Sequence, residues 1–146
     1  MNKTLTDVLV IGAGPIGLFS VFELGQLGMK SCVVDSLDII GGQCSSLYPE
    51  KPIYDIPAYP EISGQKLIDN LFSQIKPFSP KFILGERVEK ITKESDEFLV
   101  FTSNNKTIRC NSNKCSWFSR NISCLEVNQL TNNVEPNSFD RFGVGK

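Results

Sequence analysis

The feature that most constrains this chain is a glycine pattern that directly follows a short apolar run: Gly12-Ala13-Gly14-Pro15-Ile16-Gly17. The run, Val8–Ile11, is β-branched at three of four positions, which predicts a strand buried on both faces. The glycines predict a sharp turn at Gly12 and a helix that begins near Gly14 and, at Gly17, lies close to the sheet. Pro15 suits the first turn of that helix, because the N–H that proline lacks has no partner there.

The residues after this turn extend the pattern. The helix should cover 14–27 and end at Gly28, a residue type that favours the left-handed conformation after a helix. A short strand at 32–34 follows and ends on Asp35. Strand, glycine turn, helix, strand and terminal acid together indicate a dinucleotide-binding domain. In such a domain a pyrophosphate approaches the backbone at Gly14, and Asp35 accepts hydrogen bonds from the adenosine ribose.

Composition places the chain among ordinary globular domains. It has 146 residues, 40% hydrophobic and 21% charged, with a net charge of −1. This charge balance gives no reason to expect nucleic acid as a partner, and no apolar stretch is long enough to predict a membrane span. The N-terminal residues carry no secretory pattern, so we expect a cytoplasmic protein.

The chain contains no histidine, which removes the most common general base and most zinc sites. We therefore assign no catalytic residue and no metal ligand. The five cysteines form no Cys-x-x-Cys motif, and their odd number argues against a disulfide framework: Cys32, Cys44, Cys110, Cys115 and Cys124. Cys32 falls inside a predicted strand and is interpreted as a small buried hydrophobe.

A second helix and a set of short strands follow Asp35. The segment 45–60 holds four prolines and three tyrosines, which predicts an ordered, packed connection without a long helix. Ser63 is suited to cap a helix that ends before Pro77 and has one apolar face: Leu67, Ile68, Leu71, Phe72 and Ile75. A buried strand is expected at 82–84.

Three further strands are predicted at 87–92, 98–102 and 106–109. The turns between them are too short for crossover helices, so the strands should form an antiparallel meander. The predicted fold class is thus α/β: a parallel sheet with flanking helices plus a small antiparallel meander.

The character of the sequence changes near Asn111. Seven asparagines occur in the last 36 residues, against four in the preceding 110, and the apolar residues follow neither helical nor alternating spacing. We expect a domain over 1–110 and a divergent, poorly ordered tail over 111–146. A truncated or frameshifted reading frame is our hypothesis for this change.

Three motifs carry a resemblance to a known family. They are Val10–Phe19, Gly41-Gly42-Gln43 and Leu47–Pro57. With them, the first 110 residues resemble the N-terminal FAD-binding part of ferredoxin–NADP(+) reductase type 2, the thioredoxin-reductase-like flavoproteins. The resemblance implies an incomplete Rossmann-like FAD domain, which in intact family members passes electrons from NADPH through FAD to ferredoxin or flavodoxin. Members of the family usually form homodimers.

The resemblance also implies positions for FAD. The glycine turn would hold the pyrophosphate through five residues: Gly12, Ala13, Gly14, Pro15 and Gly17. Asp35 would bind the ribose, Gly42, Gln43 and Tyr48 would lie near the flavin, and Val88 would contribute its backbone.

The chain departs from related proteins at two places. Cys44 matches the first cysteine of a disulfide-reductase redox pair, but Pro49 stands where the second would be, so a dithiol relay is not expected. A second glycine motif and the NADPH-binding domain that it marks are absent from the sequence. We therefore expect this chain alone to be insufficient for turnover. Two alternatives stay open: a non-catalytic remnant or interaction module that keeps the fold, and a free-standing NAD(P)-binding domain.

Overall fold

The computed structural model describes residues 3–111, so the predicted tail after Asn111, with Cys115 and Cys124, lies outside the described residues. The elements follow in chain order: β1 (Lys3–Thr6), β2 (Val8–Ile11), α1 (Pro15–Gln26), β3 (Ser31–Val34), α2 (Gln43–Ser46), β4 (Pro52–Ile53), β5 (Ile62–Ser63), α3 (Gly64–Ile75), a 3-10 turn (Lys76–Phe78), β6 (Lys81–Ile83), β7 (Val88–Glu94), β8 (Glu97–Thr102) and β9 (Thr107–Asn111).

Three layers make up the described part of the chain. The central layer is a parallel sheet of order β2-β3-β6, with Val10 opposite Val33 and Val33 opposite Phe82. Helices α1 and α3 pack on one face of this sheet. The other face is covered by a second sheet of order β1-β9-β8-β7, in which β7, β8 and β9 are antiparallel neighbours. The predicted α/β class and the meander are confirmed.

The alternation of side chains along the parallel strands divides the core into two clusters. Leu9, Cys32 and Val34 pack toward the meander, where Val100 and Ile108 are fully buried. Their neighbours along the strands point to the helices instead and form the second cluster: Val10 and Val33 with Leu18, Val21, Ile68 and Ile75. Both faces of the sheet are therefore apolar, as the unbroken runs of Val and Ile predict.

Strand β1 was not predicted. Its four residues, Lys-Thr-Leu-Thr, lack an apolar face, and Leu5 is 79% exposed. The strand exists because it pairs in parallel with β9, with Thr4 opposite Ile108 and Thr6 opposite Cys110. Because β1 and β9 are about 100 residues apart in the chain, their pairing produces no pattern that the local sequence could reveal.

Helix α3 begins as expected, because the Ser63 hydroxyl accepts a hydrogen bond from the Lys66 amide at 3.3 Å. One side chain of the expected apolar face differs: Phe72 is 39% exposed and its ring is tilted by 46° against that of Phe82, with ring centroids 6.2 Å apart. In the preceding connection, which was expected to be ordered and packed, Tyr54 is 66% exposed, whereas the Tyr59 hydroxyl accepts a hydrogen bond from the Asn70 amide group.

Candidate functional site

The glycine turn lies at the carboxyl end of β2, where it is held against the neighbouring strand. The Gly12 amide donates to the Val34 carbonyl at 2.8 Å, and Gly12 has a φ of +108°, which favours glycine. A Cβ on Gly17 would lie 1.9 Å from the Gly12 carbonyl oxygen. Helix α1 can therefore approach the turn this closely only because residue 17 has no side chain.

Gly14 faces open space at the start of α1. It is the N-cap residue, with Pro15 as the first helical residue, and a Cβ at this position would meet nothing within 4 Å among the described residues beyond its chain neighbours. Helix geometry leaves the amides of Ile16 and Gly17 without a carbonyl partner in the helix. These amides and the positive end of the helix dipole make the space suited to an anion.

Asp35 directly follows β3 and is hydrogen-bonded to the glycine turn. Its Oδ2 accepts a hydrogen bond from the Ala13 amide at 2.6 Å, and its Oδ1 accepts one from the Leu37 amide at 2.8 Å. The side chain is half-buried, and each oxygen keeps a further lone pair that a ligand hydroxyl could use. The sequence pointed to Asp35 as a ligand residue but did not indicate its bond to the turn.

The Gly41-Gly42 pair brings the next segment onto the same turn. Both residues have positive φ, +113° and +59°, and the Gly41 amide donates to the Ala13 carbonyl at 2.9 Å. A Cβ on Gly42 would lie 3.2 Å from the Gly14 Cα. The pair therefore makes a tight turn that seats the short helix α2 beside Gly14.

The side chains of Gln43, the first residue of α2, and Tyr48, two residues after its end, are in contact. The Tyr48 hydroxyl donates to Gln43 Oε1 at 3.2 Å, and Lys51 Nζ lies 5.4 Å from the centre of the Tyr48 ring. This segment rests on the start of α3, where a Cβ on Gly64 would lie 2.9 Å from the Tyr48 carbonyl oxygen. The sequence did not predict α2 or the contact with Gly64.

Cys44 lies between these two residues and is partly buried. Burial raises the pKa of the Cys44 thiol above its ordinary value, which lowers the fraction of reactive thiolate at neutral pH.

Val88 lies at the start of β7, opposite Thr102, and the pairing register shifts between Val88 and Lys90. Its side chain is buried in the core between the two sheets, so only the Val88 backbone could face a ligand. The residues before it bring this strand close to Asp35, because the Glu86 amide donates to the Asp35 carbonyl at 2.9 Å.

Glu86 is a buried carboxylate that the sequence did not single out. Its side chain is 3% exposed, accepts a hydrogen bond from the Thr102 hydroxyl at 2.5 Å and forms an ion pair with Lys106. Burial alone would raise the pKa of Glu86, because it favours the neutral carboxyl group. The pKa is nevertheless lowered, because the ionised form is stabilised by hydrogen bonds from Lys106, Thr102 and Asn104 and by the charge of Lys106. A single glutamate between two strands has no distinguishing sequence signal.

Most of the predicted site residues lie around the carboxyl ends of β2 and β3 and along the segment that begins with α2. A shallow cavity of about 370 Å³ lies elsewhere, and none of the predicted site residues lines it: its walls are Thr4, Lys81, Phe82, Ile83, Leu84 and Lys106. Within residues 3–111 no group of three acidic, cysteine or histidine side chains could hold a metal ion. None of the helices in that range combines the length and apolar character that crossing a bilayer requires.

Comparison with known proteins agrees with the motifs. No family model matches the chain. It is similar to proteins named ferredoxin--NADP reductase from Anaplasma phagocytophilum (54% identity over 108 residues), Ehrlichia ruminantium (56% over 110) and Bradyrhizobium sp. (60% over 106). These matches cover 72–75% of this chain but only 31–33% of each relative. The chain thus spans about a third of the length of these curated relatives, and the resemblance inferred from the motifs is confirmed over that part.

Solved structures share the fold at low sequence identity. A thioredoxin reductase from Streptococcus pyogenes matches with a TM-score of 0.64 at 23% identity, covering 75% of this chain and 34% of that structure. A thioredoxin reductase from T. acidophilum matches with a TM-score of 0.63 at 18% identity, covering 77% and 34%. These likenesses confirm the Rossmann-like fold, in the incomplete form that the sequence predicts.

Proposed function

We propose that residues 3–111 bind FAD and form the FAD-binding portion of a flavin-dependent oxidoreductase of the ferredoxin–NADP reductase kind. The observation that carries the proposal is the open space at Gly14, which lies at the N-terminus of a twelve-residue helix and beside the carboxylate of Asp35. A side chain at Gly14 would fill this space, and a pyrophosphate fits it. The similarity to proteins named ferredoxin--NADP reductase supports the choice of a flavin over other dinucleotides.

Each predicted residue then has a role in holding FAD. The pyrophosphate lies against the glycine turn, from Gly12 to Gly17, where the helix amides and dipole favour its negative charge. The remaining lone pairs of Asp35 accept hydrogen bonds from the ribose hydroxyls. Gly42 admits the ligand close to the backbone, and Gln43 and Tyr48 offer a donor, an acceptor and an aromatic face to the flavin. Val88 contributes its backbone.

FAD, when bound, supplies the redox chemistry by accepting a hydride and releasing single electrons. The residues of this chain bind and orient it. NADPH as hydride donor, ferredoxin or flavodoxin as acceptor, and assembly as a homodimer are proposals for the intact protein. They rest on the relatives, of which this chain spans about a third.

Turnover by the 146-residue chain is not expected. The sequence holds one glycine fingerprint, at Gly12 to Gly17, and a nicotinamide donor needs a second binding site. We propose that the segments matching the other two thirds of the relatives, on this or another polypeptide, are required for electron transfer.

A reducing compartment such as the cytoplasm suits the reduced thiols of Cys32 and Cys44.

The visible spectrum of the purified protein tests the proposal. The chain is incubated with FAD, separated from free flavin by gel filtration, and scanned across the near-ultraviolet and visible range. Flavin bands that elute with the protein support FAD binding, and the same treatment with FMN, which lacks the adenosine half, is the matched control. Retention of both flavins to the same extent would contradict binding through the glycine turn and Asp35.

A second candidate is a remnant that keeps the fold without a cofactor. It is kept as a candidate because the sequence holds one glycine fingerprint and its composition changes near Asn111. A sample that is folded by circular dichroism but binds neither FAD nor NADPH would establish it.

A free-standing NAD(P)-binding domain is disfavoured by the antiparallel meander of β7, β8 and β9, since NAD domains continue with βαβ units.

A further inference from the structure

We infer that Glu86 is a positioning residue for the ribose end of the site. Its buried side chain is directed at the meander, and its backbone holds the strand end that carries Asp35. This inference rests on the proposed function, because the ligand whose binding it affects is FAD. Glu86 acts through Asp35 and the glycine turn.

The first step is the contact between two backbone segments, 35–37 and 85–86. The Glu86 amide donates to the Asp35 carbonyl at 2.9 Å, and the Gly85 amide donates to the Leu37 carbonyl at 2.9 Å. Gly85 has a φ of +68°, a conformation that side chains disfavour. Two adjacent hydrogen bonds therefore make the position of Asp35 depend on the position of residues 85–86.

The second step is the attachment of Glu86 to the β8–β9 turn. Its carboxylate accepts from the Thr102 hydroxyl and pairs with Lys106, and these two residues also bond each other, the Thr102 amide donating to the Lys106 carbonyl at 3.1 Å. A buried carboxylate that loses its partners must move toward water or take up a proton. The ion pair thus holds residues 85–86 in one place.

The third step leads to the ligand site. Both oxygens of Asp35 already accept backbone hydrogen bonds, and the shorter one, 2.6 Å, comes from Ala13 in the glycine turn. A shift of segment 35–37 would lengthen this bond and release the turn around Gly14. The affinity for the nucleotide half of FAD should therefore fall when the Glu86–Lys106 pair is broken, although Gly14 and Asp35 are unchanged.

The test compares Glu86→Gln with Glu89→Gln in the full 146-residue chain. The amide introduced by Glu86→Gln can still accept from Thr102 but carries no charge for Lys106, whereas Glu89 forms an exposed pair with Arg87. Calorimetry with FAD and with ADP should give a dissociation constant about two- to thirtyfold higher for Glu86→Gln with both ligands. Glu89→Gln should match the wild type.

Hydrogen exchange without ligand separates positioning from general loss of stability. Faster exchange at the Ala13 and Leu37 amides of Glu86→Gln, with unchanged exchange at Leu71 in α3, is the expected result. Unchanged exchange at Ala13 and Leu37, or equal acceleration at Leu71, would overturn the inference. If Glu86→Gln does not fold, Lys106→Met breaks the same ion pair by removing the charge of the half-exposed lysine. The same changes in affinity and in amide exchange are then expected for Lys106→Met.

The two proposals fail in different ways. If the wild type binds no FAD, the proposed function fails, while the exchange rates still report whether Glu86 holds Asp35. If the wild type binds FAD and Glu86→Gln binds it equally well, only the inference about Glu86 is overturned.

Discussion

The α-carbon of Gly17 packs so closely on the carbonyl group of Gly12 that a Cβ at position 17 would lie 1.9 Å from the carbonyl oxygen. The partner atom is backbone at the end of a buried strand, so it has little freedom to move. The close approach fixes the angle at which α1 leaves the turn, and this angle directs the helix N-terminus at the space beside Gly14.

Gly17→Ala should therefore destabilise the fold, although alanine is the better helix former. We expect a loss of about 1–3 kcal/mol in the free energy of unfolding, because the overpacked turn must shift. Urea denaturation followed by circular dichroism measures it. Glu23→Ala, at an exposed position of the same helix, is the control and should change stability by less than about 0.5 kcal/mol. Equal stability of Gly17→Ala and wild type would show that the turn is not packed as described.

Gly14→Val should separate binding from folding. A Cβ at Gly14 meets no neighbouring segment, and its φ of −75° is open to any residue, so we expect the variant to remain folded. The valine would occupy the place proposed for the pyrophosphate, and FAD binding should be abolished in the gel-filtration assay. Ile16→Val, a conservative change at a neighbouring exposed position, should keep it. Flavin retained by Gly14→Val would mean that the phosphate is placed wrongly.

Asp35→Ala should weaken FAD binding by about 1.5–3 kcal/mol, since it removes charge-assisted hydrogen bonds to the ribose. Isothermal calorimetry measures the difference. Asp38→Asn removes a nearby carboxylate and serves as the control for the loss of a negative charge. An Asp35→Ala affinity equal to that of the control would remove Asp35 from the ligand site.

The ion pair of Glu86 should make stability depend on pH. Because the pKa of Glu86 is lower in the folded protein than its ordinary value of 4.5, its contribution is present above that value. It is lost as the pH falls through the lowered folded pKa. The difference in unfolding free energy between wild type and Glu86→Gln should thus be largest near pH 7 and shrink below about pH 4.5. A difference that stays constant down to about pH 3 would contradict a lowered pKa.

Cys32 and Cys44 should both be poor nucleophiles. Burial raises the pKa of Cys32 to about 11, with Lys81 acting weakly in the opposite direction, and burial also raises the pKa of Cys44. Iodoacetamide at about pH 8 should leave Cys32 unmodified until urea is added, as peptide mass spectrometry can follow. Cys44→Ala should bind FAD within about twofold of the wild type, because no dithiol chemistry involves it. A larger loss would give Cys44 a role in the site.

Much of the fold could be predicted from the sequence because its signals are local. The glycine turn after Val8–Ile11, the cap at Ser63 and the alternation of turns and apolar runs in the meander are each decided within about ten residues. Gly14 and Asp35 were predicted as site residues from a motif with fixed spacing, whereas Tyr48 was predicted only from the resemblance to a family.

The tertiary structure alone decided the contacts between distant segments. Pairing with β9 made a strand of Lys3–Thr6, which has no strand pattern of its own. The bond from Ala13 to Asp35 and the burial of Glu86 against Lys106 join residues 22 and 20 positions apart. Local propensity determines which segments become strands and helices. Only packing brings a polar group next to its partner, and that packing decides whether a carboxylate such as Glu86 is buried and ionised or exposed to water.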